Sequence, residues 1–109
     1  MSKLQSLMIL THSLTLAEKR AFSIRTNRNK AKTDYMILYN IIEQNRELSQ
    51  ASILTEFLKK KPGASVETTI KYLYELLLEV ILELKKEQDS FYLLFNKIMK
   101  ARILFEKSL

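Results

Sequence analysis

Basic side chains crowd one short segment of the sequence, and their characteristic chemistry is the neutralisation of phosphate. Residues 19–32 contain no acidic residue and carry six positive charges, at Lys19, Arg20, Arg25, Arg28, Lys30 and Lys32. Such a cluster attracts nucleic acid or an acidic protein without selecting a base sequence. Because Asn27 and Asn29 favour turns, we prefer to interpret Arg25 to Thr33 as a solvated loop between two helices. The one aromatic residue nearby, Phe22, belongs to the expected buried face of the preceding helix, so no aromatic residues are available for stacking on bases. Contact with phosphate or with a protein partner stays open.

The remaining ionisable residues do not form a pattern with known chemistry. Glu75, Glu79 and Glu83 lie four residues apart on one helix face, but di-iron bundles also need Glu-x-x-His pairs, which this sequence lacks. We therefore expect these carboxylates to form a solvated stripe on the helix or to bind Lys or Arg from a neighbouring helix. His12 is the only histidine, so it is interpreted as solvent-facing or capping. We predict no catalytic residue, no metal site and no cofactor, hence a non-enzymatic protein.

Composition predicts the fold class. The 109 residues form a single domain (1–109) with one glycine, one proline and no cysteine, which favours long helices over a sheet. The net charge of +6 lies wholly in residues 1–64, which hold eleven basic against five acidic residues. No apolar run approaches the ~20 residues that span a bilayer. The amino terminus lacks the long apolar run of a secretory signal, although Thr15-Leu16-Ala17 could pass as a cleavage site. We therefore expect a cytoplasmic location.

Capping residues and apolar periodicity divide the chain into five to six antiparallel helices, arranged as a bundle or a helical-repeat-like array. The predicted helices span residues 2–11, 15–25, 34–46, 49–61, 65–87 and 90–109. Thr15 and Glu18 have the spacing of a capping box, and Lys-Lys-Lys-Pro-Gly at residues 59–63 ends the fourth helix. In the second helix, the side chains expected to be buried are Leu16, Ala17, Phe22 and Ile24.

The last two predicted helices carry most of the apolar residues. Helix 65–87 is apolar nearly all round, which places it at the centre of the bundle. Asp89 or Ser90 is predicted to cap the final helix. That helix presents a candidate interface formed by Phe91, Phe95, Met99, Ile103 and Phe105, besides Leu94 and Ile98. One neighbouring helix cannot cover so wide a face, so we expect a homodimer through it, or a following segment of a longer protein.

Three segments resemble the amino-terminal region of larger bacterial helical proteins that carry tetratricopeptide-like repeats further along. The segments are LTLAEKRAF (14–22), DYMILYNIIEQ (34–44) and SVETTIKYLYELLLEVI (65–81). The resemblance implies an all-α fold with repeats beyond residue 109. It brings no catalytic residues and no known activity.

Two functions follow from these observations as expectations. The first is a helical interaction or scaffold module, the amino-terminal cap of a tetratricopeptide-like protein, with a protein partner that is not identified. The alternative is a helix-turn-helix-like DNA-binding regulator that uses helix 65–87 and the basic segment 19–32, with Thr68, Thr69 and Lys71 in contact with DNA. The carboxylates of Glu75, Glu79 and Glu83 would repel phosphate, so we favour the first.

Overall fold

Five α-helices make up the fold in a computed structural model, which describes residues 2–27 and 33–108. They are α1 (Lys3–His12), α2 (Leu16–Thr26), α3 (Asp34–Gln44), α4 (Gln50–Lys60) and α5 (Val66–Ser108). The described residues are 84% helical and contain no strand, so the predicted all-α class is confirmed.

Side-chain caps begin three of the described helices, α1, α2 and α4. At the start of α2, Thr15 Oγ1 accepts a hydrogen bond from the Glu18 amide at 3.2 Å. The Thr15 amide in turn donates to Glu18 Oε1 at 2.8 Å, which completes the predicted capping box. Ser49 Oγ caps α4 by accepting from the amide of Ser52. Thr33 precedes α3 without a side-chain cap bond.

The first part of α5 is the central element of the bundle. It packs against α1, α2 and α3, while α3 also packs against α1 and α4. We call residues 66–84 of α5 the proximal half, and this segment together with α1–α4 the body. The largest fully buried side chains of the core are Leu7, Phe22, Leu38, Ile42, Ile53, Phe57, Leu73 and Leu77.

Two predictions of burial are wrong. Leu16 and Ile24 of α2 are 65% and 64% exposed, and Ala17 is also exposed, because only the side of α2 that holds Phe22 and Thr26 faces its neighbours. The proximal half of α5 is buried on one face only. Its opposite side leaves three large residues exposed, which are Tyr72, Leu78 and Leu82. Helix periodicity identifies apolar positions, but the number of neighbouring helices decides how many of them are covered.

The predicted break before residue 90 is also wrong, since α5 is one helix of 43 residues. Residues 85–90, Lys-Lys-Glu-Gln-Asp-Ser, are polar all round the helix, and this pattern suggested a loop with a cap. Lysine, glutamate and glutamine are nevertheless good helix formers, and no proline or glycine interrupts the backbone hydrogen bonds. These six residues form a polar ring, which begins the distal half of α5, residues 85–108.

Candidate functional site

Two of the six basic residues of the predicted cluster form ion pairs within the molecule. Lys19 Nζ lies 2.7 Å from Glu43 Oε1 of α3. Arg25 binds α5, with Nη2 at 3.1 Å from Glu79 Oε2 and Nη1 at 3.1 Å from Glu83 Oε1. Arg20 is exposed. The other three members of the cluster, Arg28, Lys30 and Lys32, lie outside the described residues.

Two carboxylates of the α5 series, Glu79 and Glu83, therefore bind an arginine from a neighbouring helix. This was one of the two roles predicted for the series. Only the Glu79 contact has the alignment of a hydrogen bond. The Arg25 side chain is 35% exposed, and such partly solvated pairs contribute about 0–1 kcal/mol to stability. Their effect here is to place α2 against residues 79–83 of α5.

The three residues predicted to contact DNA do not all lie on an exposed face of α5. Thr69 is buried, and its Oγ1 donates to the Ser65 carbonyl at 2.7 Å. Thr68 and Lys71 are exposed. Since one of the three side chains faces the core, the face expected to enter a DNA groove is incomplete.

His12 caps the carboxyl end of α3, which was one of the two roles predicted for it. Its Nε2 lies 3.1 Å from the carbonyl oxygen of Ile42, in the last turn of α3. A carbonyl only accepts, so Nε2 carries the proton in this contact. The Asn45 side chain donates similarly to the Ile41 carbonyl. These contacts satisfy helix-end carbonyls that have no partner within α3.

A half-buried polar cluster lies where α2 meets α3. Tyr39 is 9% exposed, and its ring packs at 4.5 Å between centroids against Phe22. Burial raises the pKa of the Tyr39 phenol, and the nearby Glu43 carboxylate raises it further. Lys19 pairs with one oxygen of Glu43, while the other is buried without a hydrogen-bond partner. These groups hold α2 and α3 together.

The largest apolar surface is the distal half of α5, which no other described element covers. Every residue from 85 to 108 is exposed. Its ten large apolar side chains have exposed fractions of 37–71%. They are Phe91, Tyr92, Leu93, Leu94, Phe95, Ile98, Met99, Ile103, Leu104 and Phe105. All five predicted interface residues are in this set.

This surface continues the face of α5 that is buried in the body. The buried positions Leu73, Leu77 and Val80 and the partly buried Leu84 are spaced by alternating fours and threes. The same spacing continues through Glu87 to five further positions, Phe91, Leu94, Ile98, Ala101 and Phe105, which we call the distal stripe. Positions spaced in this way lie on one side of a helix. The expected break at residue 90 hid this continuity, although the spacing itself was visible in the sequence.

A cleft of about 450 Å³ lies between α2 and α5 where the body ends. Its walls combine apolar groups with the Arg25–Glu83 pair. The lining residues are Ala21, Ile24, Arg25, Val80, Glu83, Leu84 and Glu87. The cleft was not predicted from the sequence, because Ile24 was expected to be buried. The cleft adjoins the point where the buried face of α5 becomes the distal stripe.

No described helix, in residues 2–27 and 33–108, is long and apolar enough to cross a membrane. The same residues contain no group of three or more His, Asp or Glu side chains placed to hold a metal ion. Comparison of the chain with models of known protein families, with curated proteins and with solved structures finds no match.

Proposed function

We propose that this chain is a non-enzymatic helical interaction module that binds a protein partner through the distal half of α5. The observation that carries the proposal is the exposure of ten large apolar side chains on one helix segment. Apolar patches beyond several hundred Å² are rare on monomeric proteins and mark interaction sites. At about 100 Å² for each exposed side chain, this surface is on the order of 1,000 Å².

The proposed setting is the amino-terminal cap of a tetratricopeptide-like bacterial scaffold in the cytoplasm. Helical-repeat proteins bury each repeat against its neighbours, so a terminal unit presents a helix face that another unit covers. The all-α body and the uncovered distal half suit such a role.

The test compares two double substitutions of similar chemistry on α5. Phe95→Glu with Ile98→Glu changes the proposed surface, whereas Leu78→Glu with Leu82→Glu changes exposed apolar side chains of the proximal half, outside that surface. The immobilised chain should retain protein partners from a bacterial lysate, quantified by mass spectrometry. The first variant should lose these partners and the second should keep them.

A gel-shift titration with duplex DNA separates the proposal from the DNA-binding alternative. Lys19 and Arg25 are already paired, so we expect only weak binding that disappears between about 50 and 200 mM salt. Sequence-selective binding that is abolished by changing Thr68 and Lys71, together with a lysate profile indifferent to the Phe95 and Ile98 changes, would overturn the proposal.

A further inference from the structure

We infer that the partner of the distal half is a second copy of this chain, paired antiparallel, with the tip of each α5 seated in the α2–α5 cleft of the other. This inference rests on the proposed function and specifies its partner. A stable interface needs about 800 Å² from each partner, and the exposed apolar side chains of the distal half together offer a surface on the order of 1,000 Å².

The position of the body excludes parallel pairing through the stripe. The distal stripe lies on the same side of α5 as α1–α3, because it continues the positions that pack against them. Two copies paired in parallel would have to place both bodies in the same space. An antiparallel arrangement puts the bodies at opposite ends of the paired segment.

The spacing of the stripe sets the register. If Leu94 of one copy lies opposite Ile98 of the other, Phe91 lies opposite Ala101, so a large side chain meets a small one. In the same register Phe105 lies opposite Glu87, and Ser108 lies opposite Leu84. The tip of each helix therefore reaches the end of the partner's body.

The α2–α5 cleft is located where this tip arrives. Leu84 and Glu87 line it together with Ile24, which is 64% exposed. Phe105 is 66% exposed. Seating Phe105 against Ile24 and Leu84 would cover apolar groups on both copies.

Charge at one point favours the same arrangement. Residues 97–107 hold four basic residues and one acidic residue, a net charge of +3. In the inferred register they lie opposite the partner's residues 85–95, which hold two acidic and two basic residues. Arg102 then lies within one helical turn of the partner's Glu87 and Asp89. Binding to a lipid surface would leave the negative charge of Glu87 without a positive partner. A second copy of the chain is therefore a better partner for the distal stripe than a lipid surface.

The chain has no cysteine, so two single-cysteine variants test the orientation. Glu87→Cys and Ser108→Cys are prepared separately, mixed, equilibrated and treated with a short bis-maleimide. In the inferred register, residue 87 lies about one turn from the partner's residue 108, within reach of the reagent. Two copies of residue 87 lie ~27 Å apart and two copies of residue 108 lie ~36 Å apart. Only the mixture should yield a cross-linked dimer. Cross-linking of either variant alone would overturn the inference.

Sedimentation of the full chain tests the pairing itself. We expect a dimer whose dissociation constant rises at least about 100-fold in Phe105→Glu, because each dimer loses two buried aromatic side chains. Circular dichroism should confirm that this variant remains helical. A chain that is monomeric at high micromolar concentration, or that instead binds vesicles of phosphatidylcholine and phosphatidylglycerol, would overturn the inference. If that monomer still retains lysate proteins through Phe95 and Ile98, the interaction module stands without self-pairing; if it retains none, both fail.

Discussion

Three polar side chains connect neighbouring helices of the body. His12 joins α1 to the end of α3, Lys19 joins α2 to α3, and Arg25 joins α2 to α5. Partly exposed ion pairs add little to stability, so their main effect is to fix how the helices lie against one another. Lys19 and Arg25 of α2 therefore serve mainly to position the helices, and their charges are already engaged by carboxylates of the same chain.

Tyr39 should make the stability of the fold sensitive to alkaline pH. Burial and then Glu43 raise its pKa above the ordinary value of 10.0, so the folded chain holds this proton to higher pH than the unfolded chain. The resulting stabilisation is complete below about pH 10 and is lost as pH rises through the folded pKa. Urea titrations between about pH 9 and pH 11 should give a smaller fall in unfolding free energy for Tyr39→Phe.

Tyr92→Phe is the matched control, since Tyr92 is 63% exposed in the distal half. It should keep the alkaline slope of the unmodified chain. Equal slopes for all three proteins would contradict the assignment to Tyr39.

At the scale of elements, the sequence predicted what depends on neighbours along the chain. The Thr15–Glu18 capping box involves residues three apart, so its geometry follows from local spacing. The exposure of Ile24 depends on which helices surround α2, and no local pattern records that. The polar segment 85–90 does not end α5, because no proline or glycine interrupts the helix backbone there. The exposed apolar residues of the distal half were predicted; the cleft beside Ile24 and Leu84 was not.

The two halves of α5 should differ in their importance for folding. Leu77 is 1% exposed in the body, so Leu77→Ala should lower the free energy of unfolding by about 2–5 kcal/mol. Phe95 is 50% exposed, so Phe95→Ala in the dilute chain should lower it by less than about 1 kcal/mol. Urea unfolding followed by circular dichroism compares the two. Equal losses would mean that the distal half packs against the body in solution.

The whole molecule is long for its size. Its extents are 71 × 30 × 20 Å and its radius of gyration is 19.7 Å. A compact domain of this length has a radius of gyration of about 13 Å. The difference arises from α5, because 43 residues of straight helix extend ~65 Å. A single helix thus determines both the shape of the molecule and its exposed apolar surface.

Small-angle scattering should detect pairing as a change of length. Antiparallel overlap of the distal halves, each ~36 Å long, should give a dimer about 105 Å long with a body at each end. Phe105→Glu should restore a longest dimension near 71 Å and half the scattering mass. A dimer no longer than the single chain would indicate that the copies meet through another surface.

The polar ring at residues 85–90 also divides α5 in its rate of amide hydrogen exchange. Amides of residues 70–84 are protected by the packed body, and their exchange requires the body to open. Amides of residues 91–108 are protected only by their own helix, and isolated helices of this length are marginal in water. In the dilute chain they should exchange by local fraying, orders of magnitude faster. Their protection should then rise with protein concentration, so that deuterium uptake in this one segment measures the fraction of the chain that is paired.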